Sequence, residues 1–222
     1  MRVVVIRHHD VDSGGLIAEA FESRGASIQV CLAPVEEQLP ALDGVDHIVV
    51  LGAISSVNDQ DPWIAAELDW LREADRRGVP ILGICFGGQA LCVVSGGRVE
   101  QAPRKELGWT VVSSADPDLI PDGPWMEFHG DRCLLPTSAT VLARNELCVQ
   151  AFSVGKHLGV QFHPEVDGAQ LKRWLDNGAD VEAIAQGLDP SEFLAQTIRE
   201  ERAARARADR LVESALALAK EH

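Results

Sequence analysis

Positive charge is scarce in this sequence. Its 222 residues hold 20 Lys and Arg against 34 Asp and Glu, a net charge of −14. Nucleic acid and anionic membrane surfaces both require a basic face, so neither is expected as a partner. Long apolar runs are missing as well. None approaches the ~18–20 residues of a membrane span. The opening Met1-Arg2-Val3-Val4-Val5-Ile6-Arg7 is too short for a signal peptide and reads as a first strand. No Cys-x-x-Cys pair occurs. The five cysteines (31, 85, 92, 133 and 148) are odd in number, which fits reduced thiols in a cytoplasmic protein better than a disulfide framework or a zinc site. There is no G-x-x-x-x-G-K-[ST] phosphate loop, no internal repeat and no low-complexity linker. What is present is globular in composition, 46% hydrophobic and 24% charged, which excludes long disorder. The length fits one large domain, or one domain with a small appendage.

The first half alternates strand and helix patterns. Val3 to Ile6 is a β-branched run, and Leu16, Ala20 and Phe21 recur at helical spacing before Gly25. Ser27–Cys31 and His47–Leu51 are the next strands. Asp61-Pro62 opens a helix with Asp as N-cap and Pro in the first turn, and Ile64, Leu68 and Leu71 form its buried stripe up to Gly78. Trp63 and Trp70 on that helix read as packing residues. Val79–Ile84 is a strand buried on both faces. This order implies a doubly wound, mostly parallel sheet covered by helices. From about Arg98 to Phe162 short runs at 109–112, 140–142, 149–152 and 158–162 read as mixed or antiparallel strands added to it. The last ~50 residues are helical, with a capping box at Asp189-Pro190-Ser191-Glu192. The mixed-sign Arg199–Arg210 stretch reads as a solvated helix face.

Two stretches carry chemistry. In Gly83-Ile84-Cys85-Phe86-Gly87-Gly88-Gln89 a buried strand ends and a helix begins, so Cys85 sits on a tight strand-to-helix turn. That places the thiol at the carboxyl end of the sheet, where open α/β sheets bind ligands, and at a helix N-terminus that favours the thiolate. Alone, the motif fits a buried structural cysteine equally well. In Val160-Gln161-Phe162-His163-Pro164-Glu165 a strand delivers His163, and Glu165 can accept from its ring and orient it. Nucleophile, base and orienter are then all available. Arg7-His8-His9-Asp10 reads as a turn near the active face. Adjacent side chains there point apart and no third ligand is evident, so no metal is expected.

Together these residues resemble the class I, or triad, glutamine amidotransferases, which carry a G-x-C-x-G-x-Q elbow and an H-P-E segment. The resemblance covers about residues 1–170. Gly52-Ala53-Ile54-Ser55-Ser56-Val57-Asn58-Asp59 falls where the family has its Gly-Gly-Pro oxyanion loop. Lys105–Trp109 and Phe128-His129-Gly130-Asp131 are similar to two further family segments, and the helical tail to those of small stand-alone members like the amidotransferase domain of GMP synthetase. The resemblance implies a flavodoxin-like three-layer α/β fold, with residues 1–176 as the amidotransferase domain and 177–222 as a helical extension packed on it. It implies Cys85, His163 and Glu165 as the catalytic triad and the N–H groups of Ala53 and Phe86 as the oxyanion hole. Gly52, Gln89, Phe128, His129 and Gly130 are then substrate contacts, and no cofactor or metal is needed.

The implied activity is hydrolysis of the glutamine side-chain amide through a γ-glutamyl thioester. With no phosphate loop and no room for an ATP-pyrophosphatase domain, the ammonia is expected to pass to a separate synthetase or acceptor protein. A stand-alone γ-glutamyl amide or peptide hydrolase is the alternative. A regulatory binding module with weak catalysis is a further one. The altered loop is the one departure from the family. The methyl of Ala53 disfavours φ > 0 and Ile54 replaces a stiffening proline, so the resting loop is expected to depend on a partner for alignment.

Overall fold

Val3 and Val5 of strand β1 (Arg2–Arg7) pack into one hydrophobic cluster, and Val4 and Ile6 into another. The two-residue period of a strand thus divides an unbroken apolar run between two faces. The same division recurs in β3 (His47–Val50), with Val49 on one side and Ile48 and Val50 on the other. A computed structural model describes residues 1–36 and 38–221. Around β1 it builds a nine-stranded sheet in the order β2-β1-β3-β4-β9-β8-β7-β5-β6. The strands β2 (Ser27–Leu32), β1, β3, β4 (Ile81–Ile84) and β9 (His157–Val160) are parallel neighbours. From β9 outward the pairing through β8 (Val149–Val154), β7 (Thr140–Arg144), β5 (Arg98–Ser114) and β6 (Gly123–Leu134) is antiparallel.

Helix α1 (Gly15–Glu22) covers one face, and α2 (Pro62–Arg76) and α3 (Phe86–Val94) cover the other, giving the three-layer arrangement expected. Pro62 takes the first turn of α2 as anticipated, although the Asp61 side chain makes no capping hydrogen bond. After β9 come α4 (Gly168–Trp174), a π-helical turn at Leu175–Ala179, α5 (Asp180–Ala185) and the long α6 (Pro190–Glu221). Asp189 caps α6 by accepting from the Glu192 N–H at 2.9 Å, but Glu192 does not complete the box; its carboxylate pairs with Arg199.

Two elements differ from the sequence expectation. The Arg- and Ala-rich stretch is not merely a solvated face: Ala204, Ala208, Leu211, Val212, Ala215 and Leu218 are buried in the same cluster as α1 and the sheet. Alanine lets the helix approach closely, while Arg24 of the α1 side pairs with Asp209 and Glu213 on the outer surface. The middle region is dominated by a long β5–β6 hairpin, and β6 has no clean alternation to announce it. The ladder breaks between Gln101 and Glu106, around Pro103, which has no N–H to give. Among the described residues no helix is long and apolar enough to cross a membrane.

Candidate active site

The carboxyl ends of β1, β3, β4 and β9 bring the chemistry together. β4 and β9 are paired at Ile84 and Val160, so the residues that follow them, Cys85 and the 161–165 segment, emerge side by side. Cys85 has φ 52° and ψ −106°, and among the described residues it is the one non-glycine with positive φ. Its N–H is bonded to Val160 O at 2.8 Å. Such a conformation is strained for an L-residue and persists only where the surroundings impose it. Here they do. An added Cβ on Gly83 would lie 2.3 Å from Gly87 O, and one on Gly87 would lie 2.2 Å from Val50 O. Only glycines allow α3 to start this close to the sheet. Phe86 is the first residue of α3, so its N–H has no acceptor within the helix.

His163 is 5% exposed and Glu165 3%. The ring donates from Nδ1 to Glu165 Oε1 at 2.7 Å. Its Nε2 has no hydrogen-bond partner among the described residues. Burial works against the imidazolium, yet Glu165 and Cys85 outweigh it and hold the His163 pKa well above the usual value. The Cys85 sulfur also lies 3.8 Å from Phe128 O. Gly52 closes the third side: a Cβ there would meet His163 Cε1 at 2.8 Å and Cys85 Cβ at 3.6 Å. Cys85, His163, Glu165, Gly52, Ala53, Phe86 and Phe128 therefore converge on one spot, although His163 follows Cys85 by 78 residues in sequence. The family model for class-I glutamine amidotransferases matches residues 11–180, which span the whole of this cluster.

The chain belongs to the class-I glutamine amidotransferase family. It is 35% identical to a glutamine-hydrolysing GMP synthase of Thermomicrobium roseum over 89% of this chain and 38% of that protein. It is 30% identical to a glutamine-hydrolysing GMP synthase subunit of Thermoplasma volcanium, over 77% of this chain and 88% of the relative. It is also 30% identical to gamma-glutamyl peptidase 5 of Arabidopsis thaliana, over 65% of this chain and 63% of the relative. A solved glutamine amidotransferase from Thermotoga maritima superposes with a TM-score of 0.89 at 29% identity, covering 97% of each chain. The chain thus spans less than half the length of the GMP synthase it matches first.

Gln89 is buried and its amide donates to Gln161 Oε1 at 3.3 Å. The His129 ring is turned inward: Nδ1 donates to Asp131 O at 2.9 Å, and Nε2 lies 3.1 Å from Glu106 and 3.3 Å from Glu127. Burial disfavours its charge, but those two carboxylates raise its pKa to about 10. Burial in turn lifts Glu127 to about 7.

The Gly52–Asp59 loop carries the departure from the family sequence. Ala53 is not in the left-handed region, so its methyl brings no backbone strain. Ser56 Oγ donates to Asp131 at 2.6 Å, Asn58 donates to Val99 O at 3.2 Å and Val57 is buried. Those contacts anchor the loop downstream of Ile54. Ile54, by contrast, is 94% exposed.

Three residues near the site carry no motif that announces them. Trp174 packs edge-on against His163 with ring centroids 5.1 Å apart, and its Nε1 donates to Asp12 at 2.7 Å. Nothing in the sequence ties position 12 to 174. Glu67 does leave a signal, a carboxylate on the buried stripe of α2 between Ile64 and Leu71.

Proposed function

We propose that the chain hydrolyses the side-chain amide of glutamine, with Cys85 as nucleophile, His163 as acid and base, and Glu165 as the group that orients and charges the imidazole. The observation that carries this reading is the strained Cys85 elbow beside a buried His163–Glu165 pair whose Nε2 is free to serve the sulfur. The raised His163 pKa favours an imidazolium beside the sulfur in the resting site. The thiolate attacks the γ-carboxamide carbon, and the carbonyl oxygen takes the negative charge. Donors from the Ala53 and Phe86 N–H groups hold that oxyanion. Losing one such donor typically costs about 10²–10³ in rate. The C–N bond then breaks as His163 gives its proton to the departing ammonia. A γ-glutamyl thioester remains. Water, deprotonated by His163, attacks it and releases glutamate, which restores the thiolate. Gly52 and the backbone of Phe128 to Gly130 line the side from which a substrate amide approaches, with Gln89 beneath the elbow.

The ammonia has a proposed destination in a separate synthetase, a reading supported by the relative described as one subunit of GMP synthase. The division at residue 176 belongs to the same proposal: all the site residues named lie before it, and α6 after it packs on α1. A second reading, a self-sufficient γ-glutamyl peptide hydrolase, is favoured by the plant peptidase relative and by the well-anchored loop. Release of glutamate from glutamine and from a panel of γ-glutamyl peptides, without any partner, separates the two. Preference for glutamine supports the amidotransferase; brisk turnover of peptides with little on glutamine supports the hydrolase. Neither substrate class being cleaved would remove the catalytic reading.

A further inference from the structure

His8 lies outside every motif that carries the family resemblance, yet it touches the oxyanion loop directly. β1 and β3 are parallel and paired at Ile6 and Val50, so two residues beyond that pair their continuations place His8 beside Gly52. These neighbours also mark the switch point of the sheet, since β2 lies to one side of β1 and β3 and β4 to the other. His8 Nδ1 is 2.8 Å from Gly52 O. His8 Nε2 is 3.0 Å from Glu67 Oε2, and the two side chains are 2% and 1% exposed. The ring is wedged between Trp63 and Phe86, with centroids 5.1 and 4.7 Å away. It therefore has one orientation. A carbonyl oxygen cannot donate, so Nδ1 must carry the hydrogen and donate a hydrogen bond to Gly52 O.

The consequence follows from peptide geometry. Gly52 C=O and Ala53 N–H belong to one planar trans unit and point in opposite directions. Whatever fixes the carbonyl fixes the N–H. We propose that His8, held by Glu67, is a positioning residue that sets the Gly52–Ala53 peptide so that its N–H faces away from His8 and toward the reacting oxyanion. This rests on the Cys85 chemistry proposed above. It also explains how the loop keeps its aim with Ala53-Ile54 in place of Gly-Pro. A rigid ring and a buried carboxylate brace the peptide from behind, where the family sequence relies on proline. Glu67 is then not a stray charge on an apolar helix face. It is the anchor that keeps the imidazole from turning.

The test compares His8→Phe with His8→Asn on the full chain, using glutamine or whichever γ-glutamyl substrate the wild type cleaves. Phenylalanine keeps a ring between Trp63 and Phe86 but has no donor. Asparagine loses the ring, but its Nδ2 falls near the position of Nδ1 and can donate to Gly52 O. Both leave Glu67 without its histidine, so that effect is common to the two. Alkylation of Cys85 by iodoacetamide is measured alongside. It displaces iodide by sulfur and forms no oxyanion, so it reports the thiolate and not the hole. The expected result is a kcat lowered about tenfold or more in His8→Phe, KM within about threefold, and an alkylation rate near that of wild type. His8→Asn recovers most of kcat despite a lower Tm. Equal kcat in both variants and wild type would overturn the proposal, as would a loss of kcat in both that tracks Tm and alkylation. A wild type with no turnover of any γ-glutamyl amide would instead overturn the catalytic reading beneath it.

Discussion

The His163 ring donates a hydrogen bond from Nδ1 to Glu165 Oε1 at 2.7 Å, while its Nε2, equally buried, has no partner among the described residues. Leaving a buried polar atom unpaired costs about 1–3 kcal/mol. In the proposed mechanism that nitrogen is the one that handles the reacting proton. On that proposal the two nitrogens are used unequally, and His163 and Glu165 take unequal roles.

His163→Ala is therefore expected to lose orders of magnitude in kcat, and Glu165→Gln less. Glu165 also raises the His163 pKa against the effect of burial, so removing its charge lowers that pKa. The alkaline limb of the activity profile, where the imidazolium loses its proton, should move to lower pH in Glu165→Gln. Rate–pH profiles of the two proteins check this. An unmoved limb, or equal damage from the two substitutions, would give Glu165 another role.

The cysteines should separate cleanly by reagent. Burial pushes the thiol of Cys31 up to about 11 and that of Cys148 up to about 12, and Cys92 is fully buried. A glutamine-like chloroketone should label Cys85 alone, and Cys85→Ala should abolish turnover while Cys92→Ala retains it. Peptide mapping of the labelled protein reads the site directly. Label on Cys92 or Cys133 would remove Cys85 from the nucleophile's role.

Ala53→Gly should lower kcat about two- to fivefold. Ala53 is not at positive φ, so glycine relieves no strain and only adds backbone freedom, at about 0.4–1 kcal/mol. Steady-state kinetics on the isolated chain checks the direction. A clear rise in kcat would mean that the methyl holds the loop away from its working position.

The buried Glu106–His129–Glu127 cluster should set part of the pH dependence of stability. Glu127 is raised to about 7 and His129 to about 10, so both bind protons more tightly in the folded state than in the unfolded one. Their contribution is present at low pH. It falls between about 4.5 and 7 as Glu127 ionises, and again between about 6.5 and 10 as His129 loses its proton. One proton gives at most about 1.4 kcal/mol per pH unit. Denaturant unfolding across pH 4.5–7 should show a shallower decline in Glu127→Gln than in wild type. Parallel curves would mean that Glu127 titrates normally.

Local rules make much of this molecule legible. The run Val3–Ile6, the Asp61-Pro62 start and the glycines around Cys85 each state a requirement that only one arrangement meets, and the parallel half of the sheet follows from them. The β5–β6 hairpin is harder to read because Pro103 interrupts its ladder and β6 lacks a clean alternation of buried and exposed residues. The inner face of α6 is hidden because alanines bury well without looking apolar beside so many arginines. At the site, Cys85 and His163 stand in local motifs, whereas His8 meets Gly52 and Trp174 meets His163 only through the fold. His129 illustrates the reverse: its motif suggests a substrate contact, but two neighbouring carboxylates draw the ring inward.

In the proposed mechanism Cys85 carries the glutamyl group between amide cleavage and hydrolysis. Acid-quenching the chain during turnover of glutamine or a γ-glutamyl amide, followed by intact-mass and peptide analysis, tests it most directly. The expected result is a mass increase of one glutamyl unit confined to the peptide containing Cys85, absent in Cys85→Ala and accumulating when hydrolysis is slowed. Turnover with no adduct at any quench time, together with full activity in Cys85→Ala, would contradict it.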